Sequence, residues 1–339
     1  MHRAWQITGE FAIDKLTLSQ LPDPDPAPGQ VVVGVRAVSL NFRDLLVARG
    51  LYSKKVPLPL TLCSDAAGEV LAVGPGVTRF APGHRVAGTF MPAWISGQVN
   101  DAIARTARGA FAPGVLTERL LADQDSLVTL PNALSFEEAA TLPCAAVTAW
   151  NALVVEGRVK AGDNVLVQGT GGVSIFALQF ALAAGARVIA ITSTQEKADR
   201  LRALGAHDVI NYVERPDWEE AARKLTGGGV DQVIEIGGAA TIGKSIRAAR
   251  MGGFIALIGN RAEGPADVNL TAALMKAIRI QGIFVGSRDM FEAMNRAIAL
   301  HAIRPIVDRV FPFDQAREAM QHLASGAHFS KVCVSVGSA

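Results

Sequence analysis

The chain has 339 residues, half of them apolar, and a formal net charge of +2. That length allows two domains with sizeable cores, and the near-neutral balance removes the electrostatic case for nucleic acid as a partner. No apolar run approaches a membrane span, and Met1-His2-Arg3-Ala4-Trp5-Gln6 lacks the apolar core of a signal peptide, so neither anchor nor secretion is expected. Cys63, Cys144 and Cys333 are far apart and without CxxC spacing. A disulfide framework is therefore not expected, and a reducing cytoplasm is.

The chain has two textures. Up to about residue 130 it is rich in Gly, Pro and short β-branched runs, at Gln30–Val38, Gly68–Val73, Arg85–Gly88 and Glu118–Leu121. Turn signals lie between them at Pro22–Gly29, Gly74-Pro75-Gly76 and Pro82-Gly83, which predicts a compact, mainly β unit. From 131 the pattern becomes strand and helix in alternation. Strands are predicted near 165, 187, 208, 231, 253 and 279, with helices over Ser174–Ala184, Gln195–Leu204, Trp218–Leu225 and Thr241–Ala249. Such alternation predicts an α/β domain with a doubly wound parallel sheet. The tail reads helix, helix, strand over Met290–Leu300, Asp314–Ala324 and Lys331–Val336.

The first helix of the α/β part opens on the richest motif. Val165-Leu166-Val167-Gln168 runs into Gly169-Thr170-Gly171-Gly172-Val173-Ser174, the strand, glycine turn and helix start that a pyrophosphate needs. Gly169 permits the turn, Gly171 clears the backbone approach, and Ser174 is the small residue where helix packs on strand. About twenty residues on, where a NAD site places an acid against the ribose, the next strand ends in Thr192-Ser193-Thr194-Gln195, followed by Lys197 and Arg200. A hydroxyl and a lysine attract a 2′-phosphate that an acid would repel, so the expected cofactor is NADP(H). Lys197 and Arg200 also read simply as the solvated face of their helix.

Several ordered motifs resemble the medium-chain dehydrogenase/reductase superfamily. Leu40-Asn41-Phe42-Arg43-Asp44 with Arg49-Gly50-Leu51-Tyr52 resembles its quinone-oxidoreductase-like members. Ser64-Asp65-Ala66-Ala67-Gly68-Glu69-Val70, Gly74-Pro75-Gly76-Val77 and Pro82-Gly83-His84-Arg85-Val86 are similar to its GroES-like core, and Leu142–Trp150 to its interdomain segment. The resemblance implies a GroES-like catalytic domain over 1–130 and 284–339 around a Rossmann domain over 131–283, as well as a homodimer. Where zinc-dependent members carry a cysteine and a histidine ligand, this chain has Asn41 and Ser64; Asp65 and Cys144 remain, and Gly88–Gly114 has no cysteine. One thiol and one carboxylate hold Zn²⁺ poorly, so no metal is expected.

Without a metal, the charge that develops on substrate oxygen falls to hydrogen-bond donors or side-chain cations, which suits a conjugated acceptor better than a simple ketone. The resemblance implies Tyr52 as hydrogen-bond or proton donor, or else as a packed ring, and Asn41 as a partner of the nicotinamide ribose or substrate oxygen, or else as a turn residue. Arg43 and Asp44 read as an ion pair bracing the loop. Thr148, Tyr212, Gly237, Gly259, Asn260, Phe284 and Val285 are the further cofactor positions it implies, and Phe90 and Trp94 are candidate walls of an apolar substrate pocket. The expected activity is zinc-independent, NADPH-dependent reduction of an α,β-unsaturated carbonyl or quinone, with a small molecule as the partner. A zinc-independent alcohol or aldehyde dehydrogenase and a non-catalytic NADPH-binding protein are the alternatives.

Overall fold

A computed structural model describes residues 1–259 and 268–337. The chain opens with β1 (His2–Ile7), β2 (Leu16–Leu21) and β3 (Gln30–Leu40), then α1 (Phe42–Ala48) and β4 (Leu60–Thr61). β5 (Asp65–Val73), β6 (Arg85–Gly88), α2 (Asp101–Ala104), β7 (Arg119–Asp123), β8 (Leu127–Thr129) and α3 (Phe136–Ala140) follow. After α4 (Val147–Trp150) strands and helices alternate: β9 (Asn164–Gln168), α5 (Gly172–Ala183), β10 (Arg187–Thr192), α6 (Gln195–Ala203), β11 (Asp208–Asn211) and α7 (Trp218–Thr226). The alternation continues through β12 (Val230–Glu235), α8 (Ile242–Ala248), β13 (Ala249–Leu257), α9 (Leu270–Met275) and β14 (Arg279–Gly282). The last elements are α10 (Arg288–Leu300), β15 (Val307–Pro312), α11 (Ala316–Ser325) and β16 (Lys331–Ser335).

The chain forms two compact units, Met1–Val147 with Gly286–Ala339, and Thr148–Val285. These divisions lie later than 130 and 284, where the texture and the resemblance put them. The reason is α3: its capping box, Ser135 with Glu138, starts a helix that packs against β3, β5 and β16 and so stays with the first unit.

Unit 1 holds a three-stranded sheet, β2-β1-β4, and a larger one ordered β15-β16-β3-β5-β6-β8, with β7 also paired to β3. Antiparallel pairs predominate, joined by the short Gly/Pro turns visible in the sequence. β16 returns from far along the chain to pair with β3, placing Val332 opposite Leu40 and Val334 opposite Val38. Val33, Leu45, Leu62, Leu116, Met320 and Val332 belong to one buried cluster.

Unit 2 is a six-stranded sheet ordered β11-β10-β9-β12-β13-β14, every pair parallel. Strands covered on both faces need unbroken apolar runs, and Val165, Leu166 and Val167 of β9 are fully buried. The strand order reverses between β9 and β12, so a crevice for ligand opens at their carboxyl ends. Among the described residues no helix is long and apolar enough to cross a membrane.

Candidate active site

The glycine motif takes the shape its residues dictate. Gly169 stands at φ +71°, in the left-handed region that favours glycine, while its N–H donates to the Ile191 carbonyl at 2.8 Å. Gly171 caps α5 without a side chain, and a Cβ there would meet nothing within 4 Å. Thr170 is buried, and Gly172 and Val173 open the helix, two residues earlier than the Ser174 start expected. Ser174 donates its hydroxyl to the Gln168 carbonyl at 2.6 Å, locking helix to strand. The twelve-residue helix thus begins without a side-chain cap, with open space at the Gly171 Cβ position. That suits the pyrophosphate of a dinucleotide, and the residues present fit a nicotinamide cofactor.

At the end of β10 the structure brings together residues distant in sequence. Thr192 pairs with Asn211, and the Tyr212 N–H donates to the Thr192 carbonyl at 2.9 Å. Tyr212 is exposed and so lies on the same strand-end surface as half-buried Ser193. Thr194 caps α6 by accepting from the Lys197 N–H. Gly259 is a glycine for packing reasons, since a Cβ there would lie 2.1 Å from the Ile236 carbonyl oxygen; at Gly237 it would strike Thr241 Oγ1. Val285 adopts φ +56°, unusual for a β-branched residue, and its carbonyl accepts from Asn151 Nδ2 at 2.7 Å. Thr148 is buried, and Phe284 beside Val285 is exposed. Asn260 lies outside the described residues.

Sequence reasoning missed a buried acid at the strand reversal. Glu235, fully buried at the end of β12, accepts from the Gly237 and Gly238 amides at 2.8 and 2.9 Å, from Thr241 at 2.5 Å and from Ser245. Gln168, ending β9, donates to Glu235 at 2.8 Å and accepts from the Ile236 N–H at 3.0 Å. Neutral donors hold both strand ends and the following helix in one network. The signal was available: a polar residue closes each of two apolar strands, Gln168 directly before Gly169 and Glu235 one residue short of Gly237.

Unit 1 gathers a second, more charged cluster. β3 ends and α1 begins at Asn41, whose backbone N–H donates to Asp44 Oδ2 at 2.8 Å. The Asn41 side-chain Oδ1 accepts from buried Lys331 Nζ at 2.5 Å, and the same ammonium donates to the Leu40 carbonyl at 2.6 Å. Arg43 Nη1 reaches Asp44 Oδ1 at 3.2 Å and the Arg108 carbonyl at 3.0 Å. Asp65 accepts from Ser64 Oγ at 2.6 Å and from the Cys144 N–H at 3.1 Å. Burial pushes the Asp44 carboxyl up to about 6 despite Arg43, and raises Asp65 despite Lys331. Burial also pushes the Cys144 thiol well above its ordinary range.

Tyr52 lies half-buried over Arg43, its ring centre 4.9 Å from the guanidinium carbon and 6.1 Å from the Phe111 ring. Phe90 is only 2% exposed, and its ring centre lies 4.8 Å from the same guanidinium carbon. Trp94 is 4% exposed and donates Nε1 to the Gly97 carbonyl. The expected pocket walls are therefore core residues of unit 1.

The donor set at the metal position does not fit zinc. Asn41 Oδ1 is held by an ammonium, Ser64 is spent on Asp65, and the Cys144 thiol is hard to ionise where Zn²⁺ wants a thiolate. Among the described residues no three His, Cys, Asp or Glu side chains group as metal ligands.

Residues 27–132 match the alcohol dehydrogenase GroES-like domain family, and residues 172–299 the zinc-binding dehydrogenase family. A zinc-type alcohol dehydrogenase-like protein of Schizosaccharomyces pombe is 44% identical over 91% of both chains. Human quinone oxidoreductase is 29% identical over 91% of this chain and 89% of its own. Among solved structures, a NAD-dependent alcohol dehydrogenase superposes with TM-score 0.91 at 34% identity, covering 99% of this chain and all of that one. A 2-octenoyl-CoA carboxylase reductase in complex with NADP and 2-octenoyl-CoA gives 0.86 at 28%, covering 98% and 87%. The glycine cradle, the parallel sheet and these likenesses lead to one conclusion: the chain belongs to the medium-chain dehydrogenase/reductase family, oxidoreductases that bind a nicotinamide cofactor.

Proposed function

We propose that the protein is a zinc-independent, NADPH-dependent reductase of α,β-unsaturated carbonyls or quinones. The observation that carries this reading is the Lys331–Asn41 contact. An ammonium is built in beside the residue that stands at a metal-ligand position, so cations and hydrogen-bond donors of the chain itself must meet the charge that develops on substrate oxygen. Hydride addition to the β-carbon of a conjugated acceptor spreads that charge into an enolate, which such donors can stabilise.

The bound cofactor would supply the hydride. Gly169, Thr170, Gly171, Gly172 and Val173 would hold its pyrophosphate, and Ser193, Lys197 and Tyr212 its 2′-phosphate. Thr148, Gly237, Gly259, Phe284 and Val285 would border the rest. No carboxylate stands among Thr192–Gln195, which favours the phosphorylated cofactor. The related reductase solved with NADP supports this reading; the related NAD-dependent alcohol dehydrogenase favours the opposite one. Tyr52 donates the proton that completes the α-carbon, and Asn41 orients the acceptor. Three free cysteines fit a cytoplasmic setting. A homodimer would form through β14, an edge strand exposed along its length beside exposed Leu270, Leu274 and Met275.

NADPH oxidation by chelator-treated protein tests the reading on a quinone, a linear enal, a cyclic enone, an enoyl thioester and a saturated aldehyde. Turnover confined to the conjugated acceptors and indifferent to chelation supports it. Turnover confined to saturated alcohols with NADP⁺ would establish an alcohol dehydrogenase instead, and NADPH binding without turnover a non-catalytic protein.

A further inference from the structure

The first turn of α1 carries a charged group that bracing alone does not explain. Arg43 is only 10% exposed, and its guanidinium is used unevenly. Nη1 serves both Asp44 and the Arg108 carbonyl, while Nε and Nη2, both buried, have no hydrogen-bond partner among the described residues. A guanidinium offers five N–H groups in a fixed plane, and leaving buried donors unpaired is costly, more so when they are charged. An arginine kept only as a brace would meet its acid edge to edge. Here Asp44 turns its second oxygen to the Asn41 amide instead.

The Tyr52 and Phe90 rings lie against the group, with ring centres 4.9 and 4.8 Å from the guanidinium carbon. The Nε–Nη2 edge that stays unpaired is a planar pair of donors shaped for one or two oxygen atoms. Tyr52 belongs to the loop after α1, where Leu51, Lys54 and Lys55 are exposed. Asn41 and Cys144 border the same cluster.

We propose that the Nε–Nη2 edge of Arg43 is an oxyanion site that takes the carbonyl oxygen of the conjugated acceptor and holds it as enolate charge builds. The proposal rests on the reductase reading for its substrate, and on the geometry of Arg43 for the site. Hydride adds to the β-carbon, the C=C electron pair moves to the oxygen at Arg43, and a proton from Tyr52 returns it to the α-carbon as a C–H bond. Net charge on the guanidinium does not change. A carboxylate, whose two oxygens match the donor pair, binds the same edge without reacting.

The full-length protein, saturated with NADPH, is titrated calorimetrically with crotonate. Arg43→Gln/Asp44→Asn removes both charges together, so that neither is stranded; Arg43→Lys keeps the ion pair and loses the planar edge. Crotonate should bind at least about tenfold more weakly to the double variant and measurably more weakly to Arg43→Lys, with NADPH affinity unchanged. Cyclic-enone kcat should fall about a hundredfold in the double variant, the scale of losing an oxyanion donor. Crotonate affinity within about twofold of wild type in either folded variant overturns the site. Wild-type protein that binds crotonate through Arg43 but reduces no conjugated acceptor keeps the site and removes the reductase reading. Enone turnover indifferent to Arg43 does the reverse.

Discussion

Unit 1 and unit 2 both bury carboxylates, but they satisfy them in opposite ways. Asp44 and Asp65 share their surroundings with Arg43 and Lys331, whereas Glu235 is met, among the described residues, by two backbone amides, two hydroxyls and one side-chain amide. A carboxylate dissolved in neutral donors fixes strand ends and turns, which is what a cradle for a rigid cofactor needs. Acids and bases packed together without full pairing leave charge to spare, which is what a group that must stabilise changing charge needs. The same chain therefore uses buried acids once as a fastener and once as a source of field.

Four perturbations sharpen or break that contrast. The largest effect is expected at Glu235→Ala, which orphans donors from both strand ends; stability should fall by about 3 kcal/mol or more, measured by denaturant unfolding. A loss below about 1 kcal/mol would mean that the network fastens nothing. Asp44→Asn probes the charged cluster through pH. Its carboxyl sits at about 6 in the fold against 3.8 ordinarily, so the folded state holds more protons between these values. Wild-type stability should therefore drop as pH rises from about 4 to 6, by up to about 3 kcal/mol from this group, and the variant should lack that slope. Parallel stability curves for the two proteins would remove the assignment.

Tyr52→Phe is expected to lower enone turnover about a hundredfold at nearly constant NADPH affinity, because proton donors contribute on that scale. A change within about twofold would make Tyr52 only the cover of Arg43. The smallest effect is expected at Lys197→Glu, which should weaken NADPH by about tenfold, with little change for NADH. Equal losses for both cofactors would place the 2′-phosphate elsewhere.

Most of unit 2 was legible in the sequence. Buried parallel strands must be apolar runs, and the expected strands near 165, 187, 208, 231, 253 and 279 correspond to β9–β14. α9 was not legible, because its Leu270, Leu274 and Met275 are exposed rather than aligned on a core. The unit boundary was hidden by α3, whose membership depends on packing and not on composition. In the candidate site, Arg43, Asp44, Asp65 and Lys331 were all visible as residues, but not as a cluster. Lys331 is 290 positions from Asn41, and only the pairing of β16 with β3 brings them together. Phe90 and Trp94 looked like pocket walls because large apolar residues in a loop resemble a binding surface; burial makes them core.

That return of β16 also sets an order of assembly. Unit 2 is continuous along the chain, so its cradle depends on no residue beyond Val285. Unit 1 is interrupted, and the Lys331–Asn41 contact closes a loop that encloses most of the chain. Contacts of such long range form late in folding, and domains of a growing chain fold largely in the order of synthesis. The nascent protein is thus expected to acquire the capacity to hold its cofactor first and its charged cluster last, completing the latter only when β16 reaches β3.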